Sequence, residues 1–208
     1  FIHDEKYAGK SATEKLADLR RDFESAGAQA YFTSALDEIA WLLNLRSTDV
    51  PCNPVATSFL YVGADGARLF IDPAKLNPAV NEYLSASGVE TAPYGSALEY
   101  LATVPADVTV LLSGARASGA VASVLDGHFT LGESPVSIPK AVKNETQIQG
   151  IRNAHVRDGV YMVRSIMEIQ RIVNECKPLT EMGVADILER NRRTDPLFFD
   201  LSFELSLI

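Results

Sequence analysis

The sequence predicts a mixed α/β domain, with a mixed sheet covered by helices on both faces, followed by a mainly helical region. Two observations lead to this fold class. Up to about residue 135, short apolar runs typical of strands alternate with amphipathic helical segments, and such alternation is typical of a sheet with helices packed on its faces. From residue 144 onward, apolar residues instead recur at spacings of three and four, which is the period of a long helix.

The elements of the first region follow from local signals. Ser11 and Glu14 form a capping-box pattern that starts the first helix. Two apolar runs separated by Gly- and Asp-containing turn residues predict a β-hairpin at residues 58–62 and 67–72. The other predicted strands lie at residues 29–33, 89–93, 108–112 and 129–131, and the other predicted helices at residues 37–42, 78–84, 96–103 and 119–125.

A change of pattern near residues 135–143 marks a domain boundary. We therefore predict a linker at residues 1–10, a first α/β domain at residues 11–138 and the opening part of a second domain at residues 139–208. Two helices and one apolar strand make an incomplete layer. We accordingly expect the remainder of the second domain to lie outside this sequence.

The second region is predicted to contain two helices. Asn144 caps the first of them, which Pro178 ends, and Thr180 caps the second. The tail, residues 197–208, is apolar and strand-like. The long helix carries an apolar stripe that includes His155, and we expect this stripe to be buried, with His155 as a core or interface residue.

Composition and charge exclude several classes of function. The formal net charge of −8 argues against nucleic acid and anionic membranes as partners, because both are bound through clustered Lys and Arg. No apolar run approaches the roughly 18–20 residues that a membrane-spanning helix needs. Cys52 and Cys176 form neither a metal-binding motif nor a disulfide framework, which favours a reducing, cytoplasmic compartment.

A search for catalytic residues, cofactor-binding motifs and metal ligands finds none. The histidines, His3, His128 and His155, are scattered, and neither a phosphate-binding loop nor a serine-hydrolase motif occurs. Asp37 and Glu38 are neighbours, so on a helix they point about 100° apart and cannot face each other as an acid–base pair. We predict that they stabilise the first helical turn.

The loop after this helix contains the two candidates to line a substrate cleft, Arg46 and Asp49. Both lie in a segment closed by prolines, and an ordinary surface ion pair between them is the simpler alternative. Trp41 is predicted to be a core residue rather than a stacking platform. Lys140 and Lys143 are predicted to be solvated charges before a helix.

Residues 33–54, TSALDEIAWLLNLRSTDVPCNP, resemble one protein family, the three-domain Xaa-Pro aminopeptidases (aminopeptidase P). The middle domain of that family contains a segment much like ALDEIAWLxNLRxxDVxxNP. The resemblance covers nearly the whole chain, in the order of the family. Further matching segments are YAGK at residues 7–10, LFID at 69–72, PKAVKN at 139–144, IRNAH at 151–155 and FDLSF at 199–203.

The resemblance implies both a fold and an activity. It implies a creatinase/prolidase N-terminal-like first domain and the start of a pita-bread catalytic domain. Members of the family release the N-terminal residue from peptides with proline in second position, using two divalent metal ions, usually Mn²⁺. A cytoplasmic homodimer is expected for the complete enzyme. The family's metal ligands follow the segment that residues 199–203 match, so we expect this chain alone to hold no metal and to be inactive.

Two alternatives remain open. In some histone-chaperone subunits a pita-bread-type domain binds proteins without catalysis, and this chain could belong to such a module. It could also belong to another pita-bread hydrolase, such as a prolidase or a creatinase. The downstream sequence decides between enzyme and binding module, because only an enzyme needs the full set of metal ligands.

Overall fold

A computed structural model describes residues 1–201 of the chain, which fall into two compact units. Unit 1 comprises Phe1–Val50 and Pro54–Asn144, and unit 2 comprises Pro51–Asn53 and the residues from Glu145 onward. Among the described residues, none of the helices combines the length and the apolar character needed to cross a membrane.

The centre of unit 1 is a six-stranded mixed sheet. Its strands are β1 (Ala30–Thr33), β2 (Ser58–Gly63), β3 (Ala67–Ile71), β4 (Val89–Pro93), β5 (Val110–Ser113) and β6 (Phe129–Gly132). They lie side by side in the order β4-β3-β2-β1-β5-β6. The β1–β2 and β2–β3 pairs are antiparallel, and the other three pairs are parallel. The predicted mixed sheet and the predicted hairpin are confirmed.

Seven α-helices surround this sheet in unit 1. They are α1 (Glu5–Ala8), α2 (Ala12–Ser25), α3 (Leu36–Leu42), α4 (Pro78–Ala86), α5 (Ala97–Leu101), α6 (Gly119–Val124) and α7 (Ser137–Ala141). The predicted capping box is present at the start of α2, where the Ser11 hydroxyl accepts from the Glu14 amide and the Glu14 carboxylate accepts from the Ser11 amide.

Helices cover both faces of the sheet, and a hydrophobic cluster fills each interface. Side chains alternate between the two faces along a strand, so Tyr31 of β1 joins one cluster while Phe32 joins the other. The first cluster packs β1–β5 against α2, α3 and α4. The second packs the opposite face against α5 and α6.

Residues 1–10, predicted as a linker, belong to unit 1 and contact the rest of it. Ile2 forms an antiparallel bridge with Leu45 and contacts the first cluster, and the His3 amide donates to the Asn44 carbonyl at 2.7 Å. The loop after α3 thereby obtains backbone hydrogen-bond partners. The polar composition of the first ten residues does not reveal this pairing, because it is made by main-chain atoms.

Unit 2 contains two long helices, α8 (Glu145–Asn174) and α9 (Glu181–Arg192). Thr180 caps α9 by accepting from the Gly183 amide. Ion pairs join the helices, including a two-pronged pair in which Arg192 donates to both carboxylate oxygens of Asp158 at 2.6 and 2.8 Å. Residues 197–201 contain no strand, and the rest of the predicted C-terminal strand lies outside the described residues.

The apolar stripe of α8 is largely exposed within the described part of the chain. The prediction of His155 as a core histidine is wrong there, because its ring is exposed and its Nδ1 lies 2.9 Å from the Ile151 carbonyl oxygen. Its role as an interface residue stays a prediction. The periodicity correctly predicts a helix, but periodicity does not state which layer covers it.

Candidate functional site

The segment from β1 through α3 to the loop that follows contains most of the polar residues that the sequence singles out. α3 is short, and Asn44 just beyond it has φ of 50°, in the left-handed region that Asn tolerates better than most residues. This conformation turns the chain away from the helix. The following loop carries Arg46 and Asp49.

Glu38 on α3 is a buried carboxylate, with 1% of its surface exposed. Three hydroxyl groups surround it: Tyr31 and Thr33 donate to Oε2 at 2.8 and 3.0 Å, and Ser134 donates to Oε1 at 2.7 Å. Burial raises the pKa of Tyr31 well above its ordinary value, which keeps its hydroxyl protonated as a donor. Such donors are what a buried carboxylate needs. Glu38 lies in the first helical turn, as predicted, but its burial is not predicted.

Asp37, the neighbour of Glu38, accepts from Lys140 at 2.5 Å and pairs with Arg116 at 3.3 Å. Partial burial acts to raise the pKa of Asp37, but the hydrogen bond and charge of Lys140, together with the charge of Arg116, outweigh it and hold this pKa below its ordinary value. The prediction that Lys140 is merely solvated is therefore wrong. Lys143 donates to two backbone carbonyl groups in the last turn of α7.

Lys15 of α2 is buried beneath α3, with 3% of its surface exposed. Its Nζ donates to the Trp41 carbonyl at 2.8 Å and to Asn44 Oδ1 at 2.6 Å, and lies 4.4 Å from the centroid of the Trp41 ring. Burial, reinforced by the positive charges of Arg46 and Lys10, lowers the pKa of Lys15 to about 8. Trp41 is partly buried and packs against the first cluster, so it is only in part the core residue that was predicted, and its ring face also contacts a cation.

Arg46 and Asp49 do not form the ion pair that the sequence suggested as an alternative. Arg46 Nη1 donates to the carbonyl groups of Ala40 and Leu45, both at 2.8 Å. Burial lowers the pKa of Arg46. The guanidinium group thus links the Ala40 carbonyl near the end of α3 to the Leu45 carbonyl in the loop that follows.

Asp49 is instead the centre of a separate small network. It accepts from the Ser47 hydroxyl at 2.8 Å and the Thr57 amide at 2.7 Å, and forms an ion pair with Lys75. Partial burial works against ionisation, but these hydrogen bonds and the Lys75 charge lower the pKa of Asp49 to about 2. Asp49 stays ionised over the whole physiological range and fixes the loop onto unit 1.

The described residues do not form a metal site. Within residues 1–201, no three His, Cys, Asp or Glu side chains lie close enough together to hold an ion. His3 is half-buried near Arg46, and burial together with the nearby charges of Arg46 and Lys15 lowers its pKa. These residues therefore do not fit the two-metal centre that the resemblance implies for the complete enzyme. What they build is a set of polar contacts that fix α3 and the loop after it.

Comparison with known proteins identifies the family. A family model described as the Creatinase/Prolidase N-terminal domain matches residues 1–147. The chain belongs to this family. Its creatinase/prolidase N-terminal domain includes the six-stranded sheet, the Glu38 network and the Lys15 contacts, and the match ends just inside α8.

Two curated relatives of this creatinase/prolidase chain have names of the same kind. A probable Xaa-Pro aminopeptidase P of Sordaria macrospora is 39% identical over 98% of this chain, which covers 35% of that protein. Xaa-Pro aminopeptidase 1 of Dictyostelium discoideum is 36% identical over 98% of this chain, covering 33% of that protein. The chain thus spans about a third of the length of the curated relatives it matches.

A solved structure of an X-prolyl aminopeptidase has a similar fold. X-prolyl aminopeptidase from Caenorhabditis elegans, described as a cytosolic enzyme with a di-nuclear active site, superposes with a TM-score of 0.91 at 28% identity. The superposition covers 98% of this chain and 34% of that enzyme. The resemblance to aminopeptidase P and the expected creatinase/prolidase N-terminal-like fold are confirmed.

Proposed function

We propose that this chain is part of a longer Xaa-Pro aminopeptidase, which releases the N-terminal residue from peptides with proline in second position. The observation that carries this proposal is the similarity along nearly the entire chain to proteins named Xaa-Pro aminopeptidase. Proline lacks an amide N–H and has a fixed φ. An enzyme that accepts it therefore needs a dedicated pocket rather than a general peptide groove.

In this proposal residues 1–208 do not catalyse the reaction alone. The complete enzyme holds two divalent metal ions, Mn²⁺ in our proposal, and the di-nuclear active site of the C. elegans enzyme supports the number of ions. The described residues provide no ligand group for them. Unit 1 then serves as a rigid support, whose buried polar contacts hold α3 and its loop in one conformation.

The proposed setting of the complete enzyme is the cytoplasm, where it acts as a homodimer. The cytosolic location of the C. elegans enzyme supports the first part, and the family resemblance supports the second. The net charge of −8 disfavours nucleic acid and anionic membranes as partners. Peptides with proline in second position are the expected partners.

The test compares the longer protein encoded by the same gene with residues 1–208. Both are assayed with a tripeptide carrying proline in second position and with the same tripeptide carrying alanine there. The longer protein should cleave only the proline peptide, should lose activity with a chelator and should regain it with Mn²⁺. Failure of the longer protein to cleave the proline peptide contradicts the proposed activity. Cleavage by residues 1–208 with Mn²⁺ contradicts only their proposed inactivity.

Arg46 and Asp49 are our proposed cleft-lining residues in the complete enzyme. The loop that carries them is fixed to unit 1 by the contacts of both side chains, and a fixed loop is suited to shaping a cleft. We expect Arg46→Ala in the longer protein to lower kcat/KM about tenfold, mainly through KM. Arg21→Ala on α2, which removes a side chain of the same type that is 70% exposed, is the control. An unchanged kcat/KM in Arg46→Ala removes Arg46 from the cleft.

A further inference from the structure

Two adjacent acidic residues on one short helix reach the same distant segment of unit 1. Glu38 accepts from Ser134, 96 residues later in the chain, and Asp37 accepts from Lys140, 103 residues later. The two carboxylates point in different directions from α3. They nevertheless contact the two ends of one stretch, residues 134–140, which includes most of α7.

The contact with Glu38 permits little movement of Ser134. Tyr31 and Thr33 both donate to Oε2, while Ser134 donates to Oε1. Ser134 Oγ also lies 3.0 Å from the Tyr31 hydroxyl and accepts from the Val136 amide at 3.2 Å. A displaced Ser134 would remove a donor from a buried carboxylate, which is much more costly than losing a surface hydrogen bond.

Apolar packing alone does not explain how this segment is held. Val136 is buried in the first cluster, but Ile138 and Val142 are 71% and 69% exposed. One buried side chain can anchor a segment, but it leaves rotation about that anchor free. The polar contacts on either side of Val136 supply the missing constraints, and the Asn144 side chain adds another by donating to the Ala8 carbonyl at 2.8 Å.

We propose that Asp37 and Glu38 form a two-point clasp that holds residues 134–144 of unit 1 in one conformation. Under this proposal the last segment of unit 1 is a rigid extension of the sheet domain rather than a flexible connection. The two points differ in strength. The Glu38–Ser134 contact is buried and sets the position of the segment, while the Asp37–Lys140 pair is about one-third exposed on each side and fixes the orientation of α7.

The test is amide hydrogen exchange, measured by mass spectrometry on the chain of residues 1–208. Peptides that cover residues 135–144 report on the clasp, and peptides that cover the β2–β3 hairpin report on the stability of unit 1. Ser134→Ala and Glu38→Gln should speed exchange in residues 135–144 about tenfold, and Asp37→Asn and Lys140→Gln about threefold. Exchange in the hairpin should change much less.

Matched controls use exposed residues of the same type. Ser137→Ala on α7, Glu99→Gln on α5 and Asp107→Asn in the loop before β5 each remove an exposed side-chain group of unit 1 and should leave exchange in residues 135–144 unchanged. In addition, Asp37→Asn combined with Lys140→Gln should have no larger effect than Asp37→Asn alone, because Asp37→Asn already removes the ion pair with Lys140 together with that of Arg116.

Two results would overturn the clasp. The first is unchanged exchange in residues 135–144 for Ser134→Ala and Lys140→Gln. The second is an equal rise in residues 135–144 and in the hairpin, which would mean that the contacts stabilise unit 1 in general. If Glu38→Gln fails to fold, Lys140→Gln still decides the matter, because its partially exposed side chain can be replaced with little effect on the core.

Discussion

Each of the two units is stabilised internally by a different kind of interaction. In unit 1, apolar side chains from both faces of the sheet are buried against helices, and the buried polar groups Glu38 and Lys15 have hydrogen-bond partners. In unit 2, ion pairs such as that of Arg192 with Asp158 join α8 to α9, while apolar residues of α8 remain exposed. Burial of apolar surface stabilises proteins far more than exposed ion pairs do. Unit 1 should therefore contribute most of the free energy of unfolding.

The largest expected effect is the loss of a core side chain from unit 1. Phe23→Ala removes a fully buried ring from the first cluster and should lower the free energy of unfolding by about 3–5 kcal/mol. Val163→Ala on α8 changes a side chain that is 57% exposed and should change it by less than about 0.5 kcal/mol. Urea denaturation measures both. A Val163→Ala loss as large as that of Phe23→Ala would show that unit 2 depends on apolar packing as unit 1 does.

A second, smaller effect concerns the buried lysine of unit 1. The pKa of Lys15 is about 8 in the fold against 10.5 ordinarily, so above pH 8 this side chain binds more protons in the unfolded chain than in the folded chain. Lys15 therefore makes stability rise with pH, whereas the raised pKa values of Tyr31, Tyr61 and Tyr83 oppose that rise as pH approaches 10. We expect the Lys15 contribution to be about 2 kcal/mol between pH 8 and pH 10, measured by urea denaturation as the difference between the pH profiles of the unchanged protein and Lys15→Met.

The matched variants for this prediction are Lys15→Met and Lys143→Met. Lys15→Met should abolish the rise, because it removes the titrating group. Lys143→Met, which changes an exposed lysine of unit 1, should keep it. Parallel pH profiles for the unchanged protein and Lys15→Met would assign the rise to other groups. They would also show that the Lys15 charge does not lower the free energy of unfolding.

The smallest effect tests the ion pairs of unit 2. Arg192→Met removes the two hydrogen bonds to Asp158 and should lower the free energy of unfolding by about 0.5–1 kcal/mol at low salt, and by less at high salt. Arg192→Lys keeps the charge but loses the paired geometry, so it should recover only part of the loss. Thermal denaturation followed by helical circular dichroism measures the change, and a loss independent of salt would indicate a packing role for Arg192.

Local signals predict much of the fold. The Ser11 capping box, the hairpin and the Thr180 cap each depend on residues within a few positions of one another, and each is present in the structure. The mixed sheet also follows from the order of strands and helices. The sequence does not predict whether the apolar face of α8 is buried, because a helical period identifies an apolar face but not the layer that covers it.

The polar contacts around α3 could not be predicted in the same way. Ser134, which completes the hydrogen bonds of Glu38, is 96 residues away, and no spacing rule connects residues so far apart. Lys15 lies 29 residues before Asn44 and next to the apolar Leu16. At such a position the sequence predicts that a charged side chain is exposed to solvent at the edge of the helix. The sequence gives one hint for Glu38. Tyr31 and Thr33 lie two positions apart on β1, so both hydroxyl groups lie on the same side of the sheet.

Trp41 is the only tryptophan in the sequence, and it lies in unit 1 beneath the ammonium group of Lys15. The chain therefore carries a built-in optical reporter. We expect its emission to report on the unfolding of the sheet domain, because the ring packs against the first cluster of unit 1.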